Sequence, residues 1–219
     1  ALIIRALTAG MTPGDYPRGG ATHLRLWAAE RVADTSGARN LSGATWINNY
    51  ARALGAKVGD GVQLHTLPPV TGMLTLGDHC SIEQEVDLSG YWVEGDVLHL
   101  GEISIGKNAS IGARSTLMPG TRIAKDAHVE AGSCVTGEKK VKAGTRWAGS
   151  PAQRVGRATH RFPEEAPPRR RRWVAGFAIT SLALDALPFL AIFAGVVADL
   201  FLTSWVAPAG SSTGTIIAL

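Results

Sequence analysis

Three of the six histidines, His65, His79 and His99, fall in a stretch from Val58 to Gly106 that contains no lysine or arginine. The same stretch holds eight acids, Asp60, Asp78, Glu83, Glu85, Asp87, Glu94, Asp96 and Glu102, so it carries −8 in a chain of net charge +4 and leaves +12 to the rest. Such a field draws cations and repels phosphates. It points to a positively charged substrate and away from nucleic acid as a partner. An amine reaches a protein largely protonated at neutral pH and must lose that proton before it attacks a carbonyl. A histidine oriented by a carboxylate is the usual acceptor. Asp87 or Asp96 is expected to orient His65 or His99, and backbone N–H groups at a chain corner are expected to hold the oxyanion. His65, Asp87, Asp96 and His99 form the expected catalytic set, and aminolysis of a thioester is the chemistry they would perform. Glu85 and Glu94 are the expected contacts to a cationic substrate, and His79 is read as a corner residue.

These groups need a frame, and the segment that follows them supplies one. In "SIGKNASIGARSTLMPGTRIAKDAHVEAGSCVTGEKKVKAGTRWAGSPA" an apolar side chain recurs at every sixth position: Ile105, Ile111, Leu117, Ile123, Val129, Val135, Val141 and Trp147. Small residues accompany them, among them Gly106, Ala109, Gly112, Ser115, Thr121, Ala127 and Ser133. A period of six fits neither a helix nor a flat strand. It fits a chain that turns a corner every six residues, predicting that Ile105 stacks on Ile123 and Val141, and Ile111 on Val129 and Trp147. The expected fold class is mainly β, a left-handed parallel β-helix of hexapeptide repeats, preceded by two short helices and followed by a transmembrane helix. Upstream, Leu76, Ile82 and Leu88 keep the step, Val58, Val62 and Leu64 mark an earlier coil, and Leu100 is expected to resume the coil before Ile105. Residues 65–73 and 89–99 are then excursions, the loops on which a rigid scaffold tends to carry function.

Ahead of the coils, "ATHLRLWAAERVAD" predicts a helix burying Leu24, Trp27, Ala28 and Val32, and "SGATWINNYARALG" a second, with Ser42 as N-cap and Gly55 as stop. "MTPGDYPRGG" reads as a turn-rich linker. Beyond the coils, Asp185 is the only charge between Arg172 and Asp199, and about 20 apolar residues suffice to cross a bilayer. The arginines at 169–172 would mark the cytoplasmic end of that span. Asp185, near its middle, is costly there and is a third candidate contact to a cationic substrate. "ALIIRALTAG" reads as the tail of a preceding span, and the whole as a piece of a longer, multi-pass membrane polypeptide with its β-helix in the cytoplasm. The cysteines, Cys80 and Cys134, lie far apart and form no zinc or redox pair, which fits a reducing compartment. Three histidines on such a repeat bear some similarity to the γ-class carbonic anhydrases. Separations of 14 and 20 residues lack the closely paired histidines of that family, and no metal is expected.

Several stretches are more specific than the repeat: "GDYPRGGATHLRLWAAERV", "LHTLPPVTGMLTLG", "EVDLSGYWVEGDVLHLG" and "RWAGSPAQRV". Over residues 10–158 and the apolar segment that follows, the chain resembles the C-terminal region of membrane-bound, single-module peptide synthetases of the ε-poly-L-lysine synthetase type. "RWAGSPA" is general to hexapeptide acyltransferases. The resemblance implies that adenylation and carrier domains of the same polypeptide load an amino acid as a thioester on a phosphopantetheine arm, with no cofactor bound to this chain itself. It further implies three tandem soluble domains that join that residue to the amine of a cationic amino acid or growing polymer, as a trimer or an intramolecular pseudo-trimer. An acetyl-CoA-type transferase, using basic residues such as Lys107, Arg122 and Lys125 for the CoA phosphates, is an alternative. A non-catalytic copy that docks the carrier or guides the polycationic product is another.

Overall fold

The structure, a computed structural model, describes residues 1–37, 44, 46–137, 140–159 and 171–206. The chain divides into two compact units, Ala1–Val174 and Ala175–Leu219. The first opens with α1 (Leu2–Thr8), β1 (Gly14–Pro17), α2 (Ala21–Thr35) and α3 (Ile47–Leu54), and continues into short strands β2 (Lys57–Val58), β3 (Gln63–Leu64), β4 (Leu74–Leu76) and β5 (Ser81–Ile82). A hairpin of β6 (Tyr91–Glu94) and β7 (Val97–Leu100) interrupts them. The coils resume with β8 (Ile103–Ile105), β9 (Ser110–Ile111), β10 (Thr116–Leu117), β11 (Arg122–Ile123), β12 (His128–Val129) and β13 (Cys134–Val135). They close on β14 (Thr145–Ala148) and β15 (Gln153–Arg157), and α4 (Arg171–Val206) ends the described chain.

The hexad period becomes a parallel solenoid of about five turns. Along one face, β2, β4, β8 and β11 pair in parallel, and the register stacks Val58, Leu76, Ile105 and Ile123, with a bridge to Val141. The second face stacks Leu64, Ile82, Ile111, Val129 and Trp147 through β3, β5, β9, β12 and β14. On the third, β10 pairs with β13, and Asp87 bridges to Thr116. The expected columns are the observed ones. Their side chains form one continuous core, because each coil is too thin to bury its aliphatic groups except against its neighbours. The glycine after an inward aliphatic has a steric cause. At Gly106 a Cβ would lie 2.6 Å from the amide nitrogen of Lys125 on the next coil. Helix α3 contributes Ile47 and Ala51 to the same core. At the other end β15 folds back antiparallel on β14 and covers the last strand edge.

Outside the coils, several expectations change. Leu100 belongs to β7 and packs with Leu26 and Leu98, whereas the coil resumes at Ile103, opposite Leu74. The "GDYP" of the supposed linker is β1, hydrogen-bonded to β7 as the third strand of an antiparallel sheet ordered β1-β7-β6. Helix α2 buries Leu26, Ala29 and Ala33, while Leu24 and Trp27 are exposed. The reason is that α2 has two partners: Ala29 and Ala33 meet Ile4 and Leu54, and Leu26 meets the three-stranded sheet. Helix α3 begins at Ile47 rather than at the "SGATW" stretch, and Ser42 lies outside the described residues; Gly55 does end the helix, at φ +107. Arg25 caps the carbonyl end of α1 by donating to Leu7 O at 2.9 Å and Ala9 O at 2.5 Å. His23 Nδ1 accepts from the Gly19 amide at 2.9 Å.

Helix α4 has 36 residues, longer than the roughly 20 that cross a bilayer. It is the one helix among the described residues that is long and apolar enough to do so. Asp185 falls within it, its side chain outside the described ones, and Pro188 lies one turn further on.

Candidate functional site

The three-stranded sheet decides which chemical groups meet. Residues of β6 and β7 alternate sides, so Leu98, Leu100, Tyr91 and Val93 turn toward Leu26 of α2. The register sets Asp15, His99 and Trp92 abreast on the opposite side. There His99 Nδ1 lies 2.7 Å from Asp15 Oδ1. Cross-strand neighbours are held close by the ladder itself, so the pair is positioned by backbone and not by side-chain chance. His99 is about one-third exposed and Asp15 about 70%, which leaves the imidazole reachable from solvent. Trp92, 46% exposed, offers an aromatic face beside it.

His99 therefore takes its carboxylate from Asp15, rather than from Asp87 or Asp96. Asp96 sits exposed in the β6–β7 turn, its carbonyl accepting from the Arg18 amide at 2.8 Å, and Glu94 is exposed at the end of β6. Glu85 occupies a coil corner at φ +58 and pairs with Arg114 Nε at 2.6 Å. His65 follows β3, partly buried, with its amide donating to Ile82 O. His79 is a corner residue at φ +56, its ring against Gly61. Three coil-corner amides are already engaged within the solenoid. Those of Asn108, Arg114 and Asp126 donate to carbonyls of the preceding coil. Among the described residues no three His, Cys, Asp or Glu side chains gather as a metal site.

Asp87 stands elsewhere, in the wall of a cavity of about 370 Å³ between α2, α3, the first excursion and the Val86–Tyr91 segment. Its Oδ1 accepts from the Ser89 amide at 2.9 Å. Glu30 and Asp34 of α2 join it, with Arg31 Nη2 held by Asp34 at 2.8 Å. Burial pushes the Glu30 carboxyl above its ordinary value, the nearby Asp34 and Asp87 add to the rise, and a hydrogen bond with the Tyr91 hydroxyl and the Arg31 charge only partly offset it. Burial first, and then the Glu30 carboxylate, push the Tyr91 phenol up to about 12. Leu67, Pro68, Pro69 and Val70 supply an apolar side. Gly72 anchors this excursion: its φ is +68, and a Cβ would strike the Leu54 carbonyl.

Sequence reasoning missed Asp15, Glu30 and Tyr91. Asp15 lies 84 residues from His99 in a segment that reads as a turn, and Glu30 sits on a helix whose periodicity points the other way.

The repeat at residues 102–137 matches the hexapeptide repeat of succinyl-transferase. Over 195 residues, 86% of this chain, the sequence is 33% identical to a delta-poly-L-ornithine synthetase of Acinetobacter baumannii. The chain is similar to part of a poly-amino-acid synthetase. It spans 15% of the length of that relative. Among solved structures, a maltose O-acetyltransferase from Clostridium difficile superposes with a TM-score of 0.48 at 17% identity, covering 68% of this chain and 94% of that one. A hexapeptide-repeat acetyltransferase from Vibrio cholerae gives 0.43 at 19% identity, covering 60% and 93%. The match to the poly-L-ornithine synthetase agrees with the resemblance read from the residues.

Proposed function

We propose that this chain performs an acyl-transfer step within a poly-amino-acid synthetase. The side-chain amine of a cationic amino acid, or of a growing homopolymer, attacks a carrier-bound aminoacyl thioester; an amide bond forms and the carrier thiol leaves. The observation that carries the reading is the 2.7 Å contact between His99 Nδ1 and Asp15 Oδ1 on an open sheet face. With Nδ1–H donated to the carboxylate, Nε2 keeps its lone pair for the proton that the ammonium must shed. The proton then passes to the departing thiolate, so the imidazole returns to its starting state. Trp92 gives the acceptor's methylene stem a surface to lie on.

The donor in this reading is a phosphopantetheine arm, and adenylation and carrier domains of the same polypeptide are the partners. Helix α4 anchors the domain, with the arginines at 169–172 holding the solenoid on the cytoplasmic side of a multi-pass protein. Tandem copies would associate as a pseudo-trimer. The similarity to the poly-L-ornithine synthetase supports a cationic monomer.

The test is made in the full-length synthetase. His99→Ala is expected to lower polymer formation by about 10²–10⁴-fold, the usual worth of a positioned general base, while adenylate formation continues. Asp15→Asn should lower it less and shift its pH profile. Unchanged polymer synthesis in both variants would sink the proposal.

A further inference from the structure

The open side of the three-stranded sheet continues past His99 in one direction only. Two residues further along the strand stands Gly101, where a Cβ would lie 2.5 Å from the Gly120 amide nitrogen and 2.9 Å from Pro119, so a coil turn closes the face at that end. In the other direction Val97 and Glu94 oppose each other across the hairpin, as His99 and Trp92 do. We infer that Glu94 is the specificity-determining residue for the acceptor: its carboxylate holds the α-ammonium while the side-chain amine of the same amino acid lies at His99. The inference deepens the proposed function and rests on it.

Three observations carry it. First, His99, Trp92, Glu94 and Val97 form the corners of one square in the hairpin, with the ionisable groups on one diagonal and the apolar ones on the other. Strand alternation turns all four away from the side on which Leu98, Tyr91 and Val93 meet Leu26. Diagonal neighbours on a sheet face stand about 7–8 Å apart. The two amines of an extended ornithine or lysine are about 6–7.5 Å apart at standard bond lengths, so the span fits, with the methylenes crossing between Trp92 and Val97. Second, Glu94 is exposed and, among the described residues, its carboxylate has no hydrogen bond or ion pair. Arg18, the cation at this end of the sheet, places Nη1 3.4 Å from the Gly95 carbonyl instead. Third, the closed end at Gly101 leaves the body of an acceptor only the Glu94 side on which to lie.

The chemistry of a side-chain linkage calls for such a contact. The acceptor carries two amines, and its α-amine is the weaker base, so at neutral pH it is the more often deprotonated of the two. Left free, it would compete for the thioester. A carboxylate beside it favours the charged form, which cannot attack. The α-ammonium then keeps its proton throughout, and no bond forms or breaks at it. One contact therefore both positions the acceptor and selects which amine is acylated. Every residue of a polymer joined through side-chain amines retains an α-ammonium, as a free monomer does, so Glu94 serves the first coupling and later ones alike.

The experiment is single-turnover aminolysis in the full-length synthetase, loaded with its labelled amino acid and freed of ATP, with L-ornithine or Nα-acetyl-L-ornithine as the added acceptor. The wild type is expected to reach half its limiting rate at about fivefold less L-ornithine than Nα-acetyl-L-ornithine, the upper end for a partly exposed ion pair, with similar limiting rates. Glu94→Gln should erase that difference by weakening L-ornithine alone, and α-linked product should appear beside the side-chain-linked one. Asp96→Asn, in the adjoining turn, alters the general field and should keep the preference. Equal half-saturation for the two acceptors in the wild type, a preference that survives Glu94→Gln, or the same loss in Asp96→Asn overturns the inference. The proposed function still stands in those cases if His99→Ala abolishes turnover of both acceptors. If His99→Ala and Asp15→Asn leave turnover unchanged, the proposed function falls and takes the inference with it.

Discussion

The solenoid and the three-stranded sheet beside it are built from the same chain by opposite rules. In the solenoid every coil repeats its neighbour, so inward positions such as Ile82, Ile105, Ile111 and Val129 are all at most 1% exposed and one residue's environment predicts the next. In the sheet, β1 comes from the approach to α2, β6 and β7 from an interruption of the coils, and no position repeats another. The groups with chemical potential sit in or against the second region: Asp15, His99 and Trp92 on one side, Glu30 and Tyr91 on the other. A repeat has no room for a singular constellation without breaking its own period. The coils therefore act as a rigid post, and the excursions hung on it carry the site.

Substitutions can break this contrast. The largest effect is expected inside the post. Ile111→Ala, at a fully buried position shared by stacked coils, should cost about 2–5 kcal/mol and lower the melting temperature of the whole first unit in calorimetry. A local loss of structure confined to one coil would show that the coils are not cooperative. Leu26→Ala comes next. It removes the side chain that ties α2 to Leu98 and Leu100, so hydrogen exchange should quicken in β1, β6 and β7 while solenoid amides keep their protection. Uniform acceleration would mean that sheet and post unfold as one.

The same contrast explains what the sequence made legible. Eight hexads in a row announce the columns, and they stack as the spacing requires, because a period has many chances to be seen. The excursions at 65–73 and around 89–99 were visible as gaps in that period. Their contents were not. His99 was picked out from composition, yet its partner could not be, since Asp15 joins it only through a β1–β7 pairing 84 residues apart. The face of α2 was misread because a helix with two partners buries two stripes, and small alanines at 29 and 33 carry as much packing as the larger Leu24 and Trp27 that remain exposed. Glu85 shows the converse. It looked like a substrate contact within an acidic run, but a neighbouring coil brings Arg114 to it at 2.6 Å, a pairing that the base-free stretch up to Gly106 could not reveal.

The smallest effect is also the most telling about the second region. Glu30 titrates above its ordinary value in the folded protein, so the folded state holds a proton that the unfolded state has already released. Stability from this group is therefore present below the unfolded value near 4.5 and declines as pH rises through the higher folded value. In its ionised form Glu30 is then a net cost, with burial, Asp34 and Asp87 acting against it and Arg31 offsetting them only in part. Glu30→Gln removes the charge and keeps an acceptor for the Tyr91 hydroxyl. Because the site is partly solvated, the gain should be small, about 1–3 °C in melting temperature at pH 7.5, and should vanish by pH 4. The solenoid predicts no such pattern, since the buried polar groups described on its coils, Thr66, Ser81, Ser115, Thr121, Ser133 and Thr145, are hydroxyls that do not titrate in this range. Equal melting of wild type and Glu30→Gln at both pH values would mean that the carboxylate is solvated well enough to ionise freely, and the cavity would lose the electrostatic tension that sets it apart from the coils.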